Sequence, residues 1–372
     1  MVKAGIDNIG LTSVLSEGRL GVLTSPTGVD STLRPTYEIL AEKYNVTALF
    51  APEHGIRGDI QAGEHVSTYV DSETGLTVYS LYGANKNPTE EMLDKFDILV
   101  FDIQDVGARY YTYIYSLTRC MKACAAKGKK VVVLDRPNPV GGIITEGITL
   151  DKRFSSDVGK YEIPARYALT VGEFATYINK EENFGCDLTV IPCSGWKRSM
   201  YYDETGMPLI LPSPNLPSVS AFINYFATCY FEGTNISEGR GTTIPFEIIG
   251  APFVDGKKLA ETLNAKKLPG VIFRSAYFTP TFSKHQGVRC GGVQLHITDR
   301  NAYRPFDAGM HLIAELRKYK EFEFVGGGDF EAKLFGDNSI LKEDFSIDEC
   351  FSRAAKDCEE FARKSDGIKM YE

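Results

Sequence analysis

The sequence predicts an α/β protein, a parallel-sheet domain followed by a smaller α+β unit. Three observations lead there. Short apolar runs rich in Val, Leu, Ile and Phe recur at residues 19–24, 46–50, 97–102 and 130–135, as strands buried on both faces require. Segments with helical spacing or helix-boundary signals lie between them. Polar and acidic residues gather just past the strand ends, where open α/β sheets bind their ligands.

Residues 19–24 form the first strand, closed by the turn cluster Ser25-Pro26-Thr27-Gly28. Residues 35–44 carry Tyr37, Leu40 and Ala41 at helical spacing, and 46–50 follows as the second strand, so the three make a right-handed βαβ unit. Pro52 ends that strand because it has no N–H to donate. Residues 77–82 alternate as a shorter strand, and Pro88 with Glu90 and Glu91 marks a helix start. The run 97–102 ends in Asp102, a helix over 114–126 stops at Gly128, and the run 130–135 ends in Asp135. Further on, a helix leads through Asn179, a strand covers 188–192, and the three prolines of 211–217 forbid regular structure. From Pro252 the pattern is a smaller α+β unit, with helices at 257–265 and 308–319, strands at 271–277 and 292–297, and a charged surface helix within 344–364.

With 372 residues the chain is long for one core, so two domains are expected, 1–250 and 251–372. A net charge of -8 argues against a nucleic-acid binder. No apolar run approaches the roughly 20 residues of a membrane span. The opening residues MVKAGIDNIGL lack a signal-peptide pattern, so a cytoplasmic protein is expected, or an extracytoplasmic one if an export signal has been removed. None of the eight Cys forms a CxxC pair; buried free thiols are expected rather than a zinc site. No GxGxxG, GxSxG or P-loop stands where it would function, and no cofactor is expected.

The richest strand end follows the second strand. Glu53 and His54 lie side by side there, with Arg57, Asp59, Gln61 and Glu64 just beyond. This is a candidate catalytic pair, or a polar loop with a salt bridge. After 97–102 come Gln104, Asp105, Arg109, Tyr110 and Tyr111, and after 130–135 comes a loop with Asn138. Glu53, Asp102 with Asp105, and Asp135 are therefore expected along one sheet edge, where mutual repulsion would spread their pKa values and suit acid–base work. Asp102 and Asp135 have an equal claim as caps of the following helices. Asn215 either faces a ligand or closes a turn. Residues 231–243 make a second polar, Gly-rich loop carrying Glu232, Asn235, Glu238 and Arg240.

Taken together, the blocks PEHGIRGDIQAGE, FDIQDVGARYYTY, LDRPNPVGG with Glu146-Gly147, LPSPNLPS and EGTNISEGRGTT resemble the exo-acting β-N-acetylmuramidases of the NamZ type, long carried as a domain of unknown function. The likeness covers nearly the whole chain. It implies a Rossmann-like N-terminal domain, a smaller α+β C-terminal domain and an active cleft between them. It also implies release of N-acetylmuramic acid from the non-reducing end of peptidoglycan fragments. The family's suspected catalytic glutamate, in the PEHG block, falls on Glu53. One departure stands out: where members often read Arg-His-Gly-Leu/Met-Thr, this chain has Arg166-Tyr167-Ala168-Leu169-Thr170, with Tyr167 in the place of a histidine.

On that resemblance Glu53, walled by Phe50, Pro52 and tyrosines, is the proton donor, with a pKa raised by desolvation and His54 beside it. The second group is open among Asp105, Glu64, a carboxylate of the 231–243 loop and the substrate's own acetamide. Arg57, Arg109 and Arg240 are candidates to grip a lactyl carboxylate bidentately. Tyr110, Tyr111 and Trp196 either stack on sugar faces or pack in the core. Gln61, Gln104, Asn138, Asn215, Asn235 and Glu238 complete the expected substrate-binding set, and the expected partner is a small molecule or oligosaccharide from peptidoglycan. The rival readings are a metal-assisted hydrolase with Glu53, His54, Asp102 and Asp135 as ligands, and a non-catalytic protein that binds cell-wall sugars.

Overall fold

The computed structural model describes residues 1–52, 55–57, 68–81, 83 and 86–372. Its first part alternates strand and helix: β1 Leu20–Thr24, α1 Thr36–Lys43, β2 Val46–Ala51, β3 Tyr69–Val70, β4 Thr77–Ser80, α2 Glu90–Leu93, β5 Ile98–Asp102, α3 Tyr113–Ala126, β6 Lys130–Leu134, α4 Val171–Glu181, β7 Asp187–Ile191 and α5 Val219–Thr228. The strands form one sheet in the order β3-β4-β2-β1-β5-β6-β7. All its pairs are parallel except the short β3–β4 edge.

The near-continuous apolar runs have a direct cause. Successive strand residues point to opposite faces, and both faces are covered. Leu23, Phe50, Phe101 and Val133 face the core beneath α3 and α4. Val22, Leu49, Val100 and Val132 face a second layer built from Ile6, Ile9, Tyr37 and Leu40.

The second part holds β8 Ile248–Ala251, α6 Gly256–Ala265, β9 Val271–Phe278, β10 Cys290–Ile297, α7 Pro305–Leu316, α8 Asp329–Phe335 and α9 Ile347–Ser365. Its three-stranded sheet is antiparallel, in the order β8-β10-β9. Strand β8 spans the division at 250/251 and belongs to this smaller sheet, because Gly250 and Ala251 pair with Gly292 and Gly291.

The two parts share one apolar core, in which α5 packs against α7. A buried ion pair reinforces the join. Arg166 Nη1 meets Glu146 Oε1 at 2.6 Å, while Glu146 Oε2 accepts the N–H of Phe306 at the start of α7. The charged helix α9 folds back so that Phe361 meets Tyr177 of α4 edge-on at 5.2 Å. All eight cysteines are free thiols, seven of them buried. Among the described residues no helix is long and apolar enough to cross a membrane.

Candidate active site

A cavity of about 190 Å³ opens where three of the sequence blocks meet. Tyr110 and Tyr111 come from the β5–α3 connection and Tyr113 from the first turn of α3, Ser213 and Leu216 from the Pro-rich stretch, Glu232 and Arg240 from the second Gly-rich region, and Phe246 from just beyond it. Tyr225 of α5 completes the wall.

The local sequence dictates how each segment arrives. After β5 the chain must turn sharply, and Gly107 does so at φ +76, a left-handed conformation that glycine adopts without penalty. A Cβ there would stand 2.6 Å from Asn138 Oδ1, so the position also has no room for one. The tyrosine run then locks down. Tyr111 OH donates to Pro212 O at 2.7 Å, tying the first block to the Pro-rich one. Tyr110 meets Tyr225 edge-on at 4.9 Å, and Tyr225 meets Phe246 at 4.7 Å.

Asp105 sits behind this wall, near enough that its charge helps raise the pKa of the Tyr111 phenol. Its Oδ2 accepts from Gly107 N at 2.7 Å and from the Tyr167 hydroxyl. Its Oδ1 is buried with no partner among the described residues. Burial pushes the carboxyl up to about 6, against the opposing pull of those two donors and of the nearby Val106 N–H. Tyr167 thus holds the carboxylate directly. The next residue, Ala168, is forced to φ +54.

Across the cavity, Arg240 is held by two carboxylates. Its Nη2 lies 2.8 Å from Glu232 Oε1, and its Nε lies 3.2 Å from Glu238 Oε1. The guanidinium also lies over the Phe246 ring at 5.1 Å. Burial raises the pKa of Glu232 and the Glu238 charge adds to that, while Arg240 opposes it. Glu232 and Tyr225 belong to the wall although the expected binding set omitted them. Glu232 had a signal, as the first acid of the Gly-rich loop. Tyr225 had none, since it reads as core.

Several expected site residues have other partners. Arg57 is bound to Asp71 at 2.7 Å and Glu73 at 3.1 Å, and its pKa is raised chiefly by the Asp71 hydrogen bond. Arg109 is fully buried, and its guanidinium donates to four carbonyls, those of Ile148, Ile163, Leu334 and Phe335. It is a clamp between the two parts of the chain rather than a carboxylate grip. Asn138 bridges Leu169 O and Val140 N, and Asn235 bridges Glu321 O and Glu323 N. Both amides are therefore spent on loops. Gln104 donates to Asp105 O and Pro137 O, leaving its Oε1 buried and unpartnered among the described residues. Asn215 lies between the cavity residues Ser213 and Leu216. Trp196 packs edge-on against Tyr371 at 5.1 Å in a separate apolar cluster with Val2 and Cys193, away from the tyrosine wall. Glu53, His54, Gln61 and Glu64 lie outside the described residues.

The other two acids of the sheet edge are also engaged. Asp102 takes Arg136 at 2.5 and 2.8 Å and the Thr36 hydroxyl. Asp135 accepts from Thr170 Oγ1 and Gly172 N at the start of α4 and from Tyr371 OH near the end of the chain; burial pushes it up to about 6 while these donors oppose the rise. Every one of their carboxylate oxygens is thus occupied by protein donors, which leaves neither acid placed as a ready metal ligand.

Comparison with known proteins covers almost the whole chain. The sequence model described as exo-β-N-acetylmuramidase NamZ, N-terminal, matches residues 20–220, and its C-terminal counterpart matches 223–371. The peptidoglycan β-N-acetylmuramidase NamZ of Bacillus subtilis (strain 168) is 47% identical over 379 aligned positions, covering 100% of this chain and 91% of that one. Two crystal structures of DUF1343 family proteins from Bacteroides fragilis are similar over 100% of this chain and 99% of theirs. One has a TM-score of 0.93 at 36% identity and the other 0.81 at 32%.

Proposed function

We propose that this chain, which belongs to the exo-β-N-acetylmuramidase NamZ family, is an exo-acting glycoside hydrolase that releases N-acetylmuramic acid from the non-reducing end of peptidoglycan fragments. The observation that carries the reading is the cavity walled jointly by the tyrosine, Pro-rich and EGTNISEGR blocks. The active cleft lies between a Rossmann-like sheet domain and the smaller C-terminal unit. Two features support this. The strand order runs outward on both sides of β1, so a crevice opens at the carboxyl ends of β1 and β5. The cavity walls also come from both halves matched by the family, 110–216 and 225–246.

In this mechanism Glu53 donates its proton to the glycosidic oxygen as the bond to the anomeric carbon breaks and positive charge develops there. Asp105 is the second group. A carboxyl near 6 is largely ionised at neutral pH and opposes that charge, and its unpartnered Oδ1 is the oxygen left for the purpose. Arg240, pinned by two carboxylates but open to the cavity, pairs with the lactyl carboxylate that distinguishes muramic acid from glucosamine. The tyrosine edges supply apolar contact for the sugar face.

The test is hydrolysis of a chromogenic N-acetylmuramide beside its N-acetylglucosaminide twin. Turnover of the muramide, lost in Glu53→Gln with sugar binding retained, is expected. Failure to cleave either sugar would overturn the proposal.

A further inference from the structure

The charges beneath Arg240 continue past the cavity wall into the connection between β9 and β10. We infer that Lys284, in that connection, is a positioning residue for the cavity: it pins the 231–241 loop and supplies the charge that leaves Arg240 available to an anionic substrate. The nature of that anion rests on the muramidase reading above.

The geometry is specific. Lys284 Nζ donates to Phe231 O at 2.5 Å, Ile236 O at 3.0 Å and Glu238 Oε2 at 2.9 Å, so all three ammonium protons are used on one loop. Neighbouring residues dock against the same loop. Thr281 N and Oγ1 both donate to Gly241 O, at 2.8 and 2.9 Å, and His285 Nε2 lies 2.7 Å from Asn235 O. Gly241, at φ +81, would place a Cβ 2.5 Å from Phe282 O, so the two segments touch backbone to backbone.

The electrostatics make Lys284 more than a staple. Lys284, Glu238, Arg240 and Glu232 form a row of alternating charges that sums to zero. Glu238 is only 2% exposed, and a carboxylate so buried needs its partners. Without Lys284, Glu238 rests on Arg240 alone and the wall carries one uncompensated negative charge. An incoming carboxylate is then repelled where it had been attracted. Among the described residues, the other groups facing this row do not alter the count. Glu331 is fully buried near Lys284 and Glu232, and burial holds its pKa well up, as it does for Tyr225 and Cys229. His285 faces the Asn235 carbonyl.

The test uses the full chain with Lys284→Met, Glu238→Gln, the double variant and Lys284→Arg. Lys284→Met is expected to raise KM for the chromogenic muramide roughly tenfold, as one unit charge nearby would, with kcat held within about twofold. Lys284→Arg keeps the charge and recovers most of the affinity. Glu238→Gln leaves the row with a positive excess and lowers KM. The double variant is neutral again and returns KM toward the parent value, although it has lost more hydrogen bonds than either single variant. A purely structural role predicts the reverse, a double variant worse than both; that result, or a fall in kcat at constant KM, overturns the inference. If Lys284→Met does not fold, a Glu238→Gln KM that is unchanged or raised overturns it equally. Should the parent cleave no muramide, the functional reading fails by itself. Hydrogen exchange then tests Lys284 independently: loss of protection confined to 231–241 in the Met variant supports its role, and unchanged protection refutes it.

Discussion

Replacing Asp105 by Asn isolates what its buried charge costs the fold. Desolvation pushes this carboxyl from 3.8 up to about 6 in the folded chain. The gap is about two units, so ionising Asp105 in the native state costs about 3 kcal/mol. Below about pH 4 the side chain is protonated in both states and the cost is absent. Between about pH 4 and pH 6 the unfolded chain ionises first and the folded chain holds the extra proton, so stability falls as pH rises. Above about pH 6 the full cost remains. Asn abolishes that slope. Its amide oxygen still accepts from Tyr167 OH and Gly107 N, but its NH₂ replaces the unpartnered Oδ1, and a buried unsatisfied donor costs about 1–3 kcal/mol at every pH. Asp105→Asn is therefore expected to be the less stable protein near pH 4 and to gain about 3 kcal/mol on the parent by neutral pH. Urea unfolding across that range measures it, followed by circular dichroism and by Trp196, the single tryptophan, which is 4% exposed. A stability gap that stays constant with pH would refute the reasoning.

Other expectations are simpler. Arg109→Lys cannot keep one planar fork on four carbonyls and should cost about 3–5 kcal/mol, seen as a lower melting temperature with KM unchanged; a variant as stable as its parent would make the clamp dispensable. Ala168→Gly relieves a left-handed alanine and should raise stability by up to about 1 kcal/mol in the same melting experiment. Tyr167→Phe removes a donor that holds the Asp105 pKa down. The acid limb of the kcat/KM profile should then move to higher pH, and an unmoved limb would separate Asp105 from the chemistry.

Much of the fold was legible because its signals are carried by consecutive residues. The runs at 46–50, 97–102 and 130–135 became β2, β5 and β6, and the helix at 257–265 became α6. Helix α5 escaped for the opposite reason. Residues 221–228 are all buried, so no polar face marks its period.

The site divides along the same line. Sequence by itself determined the class of fold, the placing of Asp102 and Asp135 at the carboxyl edge of the sheet, and three of the blocks that line the cavity, because strand period and turn chemistry are local. Arg57, Arg109 and Arg240 look equivalent in that reading. Only the tertiary structure gave them different jobs: one paired with Asp71, one enclosed by four carbonyls of which two lie more than two hundred positions away, one facing the cavity between two glutamates. A guanidinium's role is set by which acceptors surround it, and folding draws those acceptors from across the whole chain.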